Sequence, residues 1–172
     1  GGIIENIYEN STSEIIGNAM SSPFGVGNAY FRTGLKAEEV DTVAFGAYKK
    51  EVFAKSGLFD VSLKRKQDDE FNFRIIQDGV KNFLNHDLIS KYYVRASYNK
   101  LFKQYYQYGF WKVFVNKKHK TVTTTRQLIP FFFVSYLMLF PFSYCINNKI
   151  GFVALLPLFI YLIGAFVFAA KK

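Results

Sequence analysis

Cysteine is almost absent: the 172 residues contain only Cys145, so no disulfide can close within the chain. One cysteine with two histidines, His86 and His119, is too small a set for a structural zinc site. Acidic residues stop at Asp87. Residues 1–87 carry 10 Lys+Arg and 13 Asp+Glu, and residues 88–172 carry 12 Lys+Arg and no acid, so the net charge of +9 divides into −3 and +12. The partner of the C-terminal half is therefore anionic. No repeat and no low-complexity linker interrupts the chain. With half of its residues hydrophobic, 20 Phe and 12 Tyr among them, a disordered chain is excluded. The length admits one domain, or a smaller domain with a membrane anchor.

Charge is also missing from two stretches, Gln127 to Ile146 (20 residues) and Ile150 to Ala170 (21 residues). Each is long enough to cross a hydrocarbon core of ~30 Å as a helix. Pro130, Pro141 and Pro157 lie inside them, which membrane helices tolerate where neighbouring groups satisfy the freed carbonyls. The competing reading is a buried helical hairpin in a soluble core. Asn147, Asn148 and Lys149 form the turn between the spans. Lys112, Lys117, Lys118, Lys120 and Arg126 precede the first span and Lys171 and Lys172 follow the second, so the positive-inside bias places both flanks, and residues 1–126, in the cytoplasm.

Before the spans, Leu101, Tyr105, Tyr108, Trp111 (or Lys112) and Val115 recur at helical spacings, with Lys100, Lys103, Gln104 and Gln107 largely on other faces. This pattern predicts a basic interfacial helix over 96–126 with that aromatic side against lipid headgroups. The alternative is a helix packed on the domain. Nucleic acid is not the expected partner, because the helix leads straight into a span.

Residues 1–95 read as a mixed α/β region with too few elements for a complete doubly wound sheet. Val40 to Gly46 is expected as a strand and Ala47 to Ser56 as a helix stopped by Gly57. Gln67 to Gly79 is expected as a helix burying Phe71, Ile75 and Ile76, and FLNHDLIS and KYYVR as two strands. The chain opens Gly1-Gly2-Ile3, in mid-element and without an initiator methionine, and is expected to be the C-terminal part of a longer one. Asp68, Asp69 and Glu70 fall where a loop becomes that helix. Its N-terminus favours their ionised forms while their mutual repulsion opposes it, leaving the sign of the net pKa shift open. One of them can act as a general base, or the three can simply cap the first turn.

Five motifs in order, SPFGVGNAYFR (Ser22 to Arg32), DTVAFGAYKKEVF (Asp41 to Phe53), GLFD (Gly57 to Asp60), QDDEFNFR (Gln67 to Arg74) and QYYQYGFWK (Gln104 to Lys112), resemble the second half of a glycosyltransferase family 2 catalytic domain, in its succinoglycan-biosynthesis-like branch. The resemblance implies the C-terminal portion of a GT-A-type domain (1–95), followed by the interfacial helix (96–126) and a two-helix transmembrane hairpin (127–146, 150–170). It implies inverting transfer from a nucleotide-sugar donor to a lipid-linked acceptor, such as a polyprenyl diphosphate saccharide, or to a polysaccharide, at the cytoplasmic membrane face. Asp68, six residues before Arg74, matches the family's catalytic base; Asp69 is the second candidate. Glu70 matches a further acidic position that orients the site, and Gln67 stands where the family more often has Glu.

Acceptor contacts are implied for Gly46, Arg74, Gln107 and Trp111. Phe110 replaces the arginine that related processive synthases carry beside that tryptophan, which passes diphosphate binding to Lys112 or Arg95. Gly46, like Gly25 and Gly27, lets backbone approach a sugar closely, but a glycine is more often a turn residue. The leaving nucleoside diphosphate implies a divalent cation, Mg²⁺ or Mn²⁺, held by an Asp-x-Asp pair upstream of this chain, so residues 1–172 alone are expected to be inactive. A different class of function, a non-catalytic membrane-anchored scaffold of a polysaccharide-synthesis complex, would keep the fold without the donor half.

Overall fold

A computed structural model describes residues 1–34 and 39–171. Two compact units divide at Thr123. In the first, strand β1 (Gly2–Ile7) leads into helix α1 (Ser11–Met20), whose start is fixed by a reciprocal cap: the Asn10 side chain accepts from the Ser13 backbone N–H, and the Ser13 hydroxyl accepts from that of Asn10. Short helices α2 (Pro23–Val26) and α3 (Tyr30–Thr33) precede the two-residue strand β2 (Glu39–Val40). Helix α4 (Lys50–Ser56) ends at Gly57, whose φ of 78° requires glycine. Helix α5 (Gln67–Gln77), strands β3 (Asn82–Phe83) and β4 (Asn85–Tyr93) and helix α6 (Tyr98–His119) complete the unit.

β1 and β4 pair in parallel, Ile3 opposite Ile89 through Ile7 opposite Tyr93, while β2 and β3 pair antiparallel. Ile16 and Met20 of α1 pack with Val94 against Tyr92 and Leu101, and Val40, Val43 and Leu84 pack against Ile3, Tyr30 and Phe31. Phe71 is wholly buried on α5, with the rings of Phe59, Tyr48 and Phe53 centred 4.7, 4.9 and 5.2 Å away. The next residue, Asn72, is equally buried and fully engaged. Its Nδ2 donates to Thr42 Oγ1 (3.2 Å) and the Val43 carbonyl (3.3 Å), and its Oδ1 accepts from the Tyr48 hydroxyl (2.8 Å).

Several expectations need correction, among them the burial of Ile76, which is 37% exposed. The strand expected over 40–46 shrinks to Glu39–Val40 and an isolated bridge from Ala44 to Gly2, because Phe45 adopts a left-handed φ of 51° that no extended run accommodates. The two strands expected over 83–95 are largely one, Asn85–Tyr93. On α6 the aromatic side assigned to lipid is the side packed on the domain. Gln104, Lys112 and Val115 are buried there and Leu101 lies against the α1 core, although Tyr105 of that side stays 48% exposed, while Tyr98, Phe102, Tyr106, Phe110 and Val113 are exposed on the other side. α6 carries rings on both faces, and its buried face contains Gln104 and Lys112, so hydrophobic spacing alone points the wrong way.

The second unit consists of two apolar helical runs, Thr125–Ile146 and Asn148–Ala170, each long enough to cross a membrane. The first runs from a 3₁₀ turn (Thr125–Leu128) through α7 (Ile129–Leu139) and a 3₁₀ turn (Phe140–Phe142) to α8 (Ser143–Ile146); the second comprises α9 (Asn148–Ala154) and α10 (Leu156–Ala170). Pro130, Pro141 and Pro157 each stand at the start of a helical piece, where the missing N–H deprives no carbonyl of its partner. The connection is tighter than the three residues expected: Asn147 alone is extended, and Asn148 and Lys149 already belong to α9. The runs meet where the Tyr136 hydroxyl donates to the Ala154 carbonyl (2.6 Å) and the Phe133 and Tyr161 rings lie 4.6 Å apart.

Truncating Phe71 to Ala should remove about 3–5 kcal/mol of unfolding free energy, the usual loss for a buried ring. Val61→Ala, at a side chain 92% exposed, should stay within about 0.5 kcal/mol. Denaturant unfolding of the detergent-solubilised protein, followed by the fluorescence of Trp111, checks both.

Candidate functional site

Successive residues on a helix point about 100° apart, so the three carboxylates in the first turn of α5 face three surroundings. Asp68 is exposed and, among the described residues, makes no hydrogen bond or ion pair. Asp69 turns toward α6, where its Oδ2 receives Lys112 Nζ at 2.6 Å, with Lys66 Nζ at 4.0 Å. Glu70 points into the protein and has no exposed surface. Arg74, one turn later, reaches it through Nε (3.1 Å) and Nη2 (2.9 Å), and Lys118 and His119, from the end of α6, reach Oε1 at 2.9 and 3.0 Å.

The same network holds the loop before α5. Arg74 donates to the carbonyls of Ser56 and Leu58, and a Cβ at Gly57 would come within 3.2 Å of its Nη1, a second reason for glycine there. Lys118 bridges Glu70 to Asp60 Oδ2 (2.8 Å), and Gln67 Nε2 donates to the Asp60 carbonyl (3.2 Å). Hydrogen bonds from Lys118 and Ser62 hold the Asp60 carboxyl well below the usual range. For Glu70, burial opposes ionisation, yet the hydrogen bonds from Arg74, Lys118 and His119 outweigh it and leave the pKa below that of an ordinary glutamate.

Two tyrosines lie within electrostatic reach of Asp68. The Tyr48 phenol is pushed up to about 12, first by burial and then by the negative charge of Asp68, against the opposing hydrogen bond to Asn72. Tyr108 of α6 is raised by burial first, with Asp68 among the smaller contributions, and Lys66 Nζ stands 4.8 Å above its ring. An exposed carboxylate without partners among the described residues, beside an immobilised loop, is able to accept a proton from a bound hydroxyl.

The other residues expected at the site divide. Gly46 serves Tyr48: a Cβ there would meet the Tyr48 hydroxyl at 2.5 Å. Arg74 is committed within the protein, so it is assigned to positioning the loop in place of acceptor contact, and buried Glu70 can orient the site but cannot touch a substrate. Trp111 Nε1 donates to Gln107 Oε1 (3.0 Å), so these two residues are mutual partners on α6. Arg95 Nε donates to Gln104 Oε1 (2.9 Å), and Lys112 is taken by Asp69. Tyr48, Tyr108, Lys118 and His119 were missed as members of the site. The available signal was charge: an acidic cluster in the half of net charge −3 needs partners, and the acid-free half has the cations. Among the described residues no three His, Cys, Asp or Glu side chains gather as a metal site.

Glu70→Gln should leave Arg74 and Lys118 facing a neutral group and cost on the order of 3 kcal/mol. Because the folded-state pKa of Glu70 is depressed, its contribution is complete above the ordinary glutamate pKa and is lost as pH falls through the folded value. Unfolding midpoints recorded from neutral pH downward should therefore drop in the wild type below about pH 4.5 and drop less in Glu70→Gln.

No family model matches the chain, and no solved structure matches it. Two curated proteins do. A Methanococcus voltae dolichyl N-acetyl-alpha-D-glucosaminyl phosphate 3-beta-D-2,3-diacetamido-2,3-dideoxy-beta-D-glucuronosyltransferase is 31% identical over 170 residues, covering 97% of this chain and 48% of that protein. The succinoglycan biosynthesis protein ExoA of Rhizobium meliloti (strain 1021) is 28% identical over 112 residues, 65% of this chain and 34% of that protein. The chain thus spans about half the length, or less, of the curated relatives it matches, and within that span it is similar to a glycosyltransferase and to a succinoglycan biosynthesis protein.

Proposed function

We propose that this chain is the acceptor-side and membrane part of an inverting family 2 glycosyltransferase with a GT-A-type catalytic domain, working at the cytoplasmic face of the cell membrane with Asp68 as general base. The observation that carries the reading is the sorting of three adjacent acids: Asp69 and Glu70 are bound by cations, and only Asp68 keeps its lone pairs free. The homology to transferases supplies the reaction class, and the names of the relatives supply lipid-linked and polysaccharide acceptors as the substrates to test.

In this reading the acceptor hydroxyl lies against Asp68. Its oxygen attacks the anomeric carbon of the donor as Asp68 takes the proton, the bond from that carbon to the nucleoside diphosphate breaks with its electron pair leaving on the phosphate, and configuration inverts. Proton abstraction by a placed base contributes about 10²–10⁴-fold. The Glu70 network contributes by holding α5 and the 57–60 loop at fixed distance, since orientation governs much of the barrier. A divalent Mg²⁺ or Mn²⁺ would neutralise the departing diphosphate, and we place its ligands and the donor nucleotide on residues outside this chain.

The outer face of α6 meets the bilayer. Tyr98, Phe102, Tyr106, Phe110 and Val113 are 46–74% exposed, and the rings from Phe102 to Phe114 stack in sequence at 5.1–6.5 Å. The helix contains no acid, and the first apolar run begins six residues after it, which ties this face to a membrane surface carrying anionic lipid.

Asp68→Asn in the full-length protein should lower transfer by about 10²–10⁴-fold with nucleotide-sugar binding near normal; near-wild-type turnover would refute the base, whereas no transfer by the wild-type full-length protein would favour the scaffold. For the membrane face, a fluorophore on Val113→Cys in a Cys145→Ser background should be quenched by brominated lipids in vesicles. The same label on Glu51→Cys of α4 should not, and equal quenching would overturn the orientation of α6.

A further inference from the structure

Arg32 closes the SPFGVGNAYFR stretch, and nothing above gives it a task. Its side chain is partly buried on α3, with the guanidinium 4.9 Å from the centre of the Tyr92 ring and 5.7 Å from that of Phe31. Among the described residues no carboxylate pairs with it, and its Nη1 is closed off from solvent without a hydrogen-bond acceptor. A guanidinium withdrawn from water without a counter-ion is unfavourable, and rings recover only part of the loss.

A second guanidinium lies on the same network. Arg95 donates to Gln104, and the Gln104 amide donates to the hydroxyls of Tyr92 (3.1 Å) and Tyr108 (2.9 Å). Arg95 likewise makes no ion pair among the described residues. These groups adjoin the base: Arg32 acts electrostatically on Tyr105 and Tyr108, and Tyr108 is also within reach of Asp68. Gln104 therefore links both arginines to Tyr108: Arg95 bonds it directly, and Arg32 lies over the ring of Tyr92, whose hydroxyl Gln104 also holds.

We propose that Arg32, supported by Arg95, binds a diphosphate oxyanion, specifically the diphosphate that joins the acceptor sugar to its carrier lipid. The assignment rests on the transferase reading given above and adds the group that would hold the acceptor while its sugar hydroxyl faces Asp68. The planar guanidinium matches two phosphate oxygens at once, and the missing acceptor of Nη1 is what such an oxygen supplies. A nucleoside diphosphate offers the same oxyanion chemistry, so the source has to be distinguished by experiment.

The test titrates the full chain in detergent micelles with farnesyl diphosphate, inorganic pyrophosphate and UDP, each followed by ³¹P NMR and by the fluorescence of Trp111. Farnesyl diphosphate and pyrophosphate should bind, and Arg32→Gln should weaken both by about tenfold or more, with Arg32→Lys in between. UDP should bind more weakly than farnesyl diphosphate. Binding unchanged in a folded Arg32→Gln protein overturns the site, and tighter binding of UDP overturns the acceptor as its source. Should Arg32→Gln fail to fold, Arg32→Lys, which keeps the charge but not the bidentate fork, decides the matter by the same weakening or its absence. Asp68→Asn should leave pyrophosphate binding unchanged. If that variant still transfers sugar while Arg32→Gln loses the anion, the base has failed and the diphosphate site has not.

Discussion

The pairing of α5 with α6 through charge is the constraint on which the first unit depends. α5 brings Asp69 and Glu70, α6 brings Lys112, Lys118 and His119, and the 43 to 49 residues between partners are closed into a loop by these bonds. Such pairs repay desolvation only when geometry is good and remaining lone pairs are satisfied. Glu70 meets that condition, with three cationic or potentially cationic partners and no exposed surface, whereas an isolated surface pair such as Lys81 with Glu39 contributes little. The network specifies register: sliding α6 by one residue would rotate Lys112 and Lys118 away from both acids at once.

This arrangement explains how three consecutive carboxylates can coexist. Adjacent negative charges raise one another's pKa, but two of the three are neutralised by cations within 3 Å and cease to repel the third. Asp68 is left exposed, without a counter-ion among the described residues. The architecture separates the two paired acids from the unpaired one by direction around a single helical turn, and the left-handed Lys66 (φ 67°) that caps α5 precedes that turn.

Much of this was legible from residues alone, because the signals were local. Gly57 ends α4 where a stop was expected and Gly79 follows α5, both at φ 78°, and the uncharged runs become helical runs long enough for a membrane. What the sequence could not reveal was which partner a charge would choose. Lys112 and Lys118 read as membrane-flanking cations, since nothing in the spacing says that they fold back 43 and 48 residues onto acids. Gly46 read as a backbone approach to sugar, when the close neighbour is the Tyr48 hydroxyl two residues on. The face of α6 was misassigned for a related reason: a polar residue can be buried if its partners wait there, and Gln104 and Lys112 both have them.

The two faces of α6 have a mechanical consequence. A helix of 22 residues rises roughly 33 Å and bends little over that length. One side is fastened to α1 by Leu101 and to α5 by Lys112 and Lys118, while the other presents rings along nearly its whole length. If the ring-bearing side lies in the headgroup layer, the fastened side sets the height of Asp68 above the lipid to within a helix diameter of about 10–12 Å. A lipid-linked acceptor has its diphosphate at the headgroups and its sugar just above, so the reach required of the base is fixed by helix geometry and not by a mobile loop. Under that proposal the charges on α6 act in two directions, those on the inner side holding acids and those on the outer side meeting phosphates.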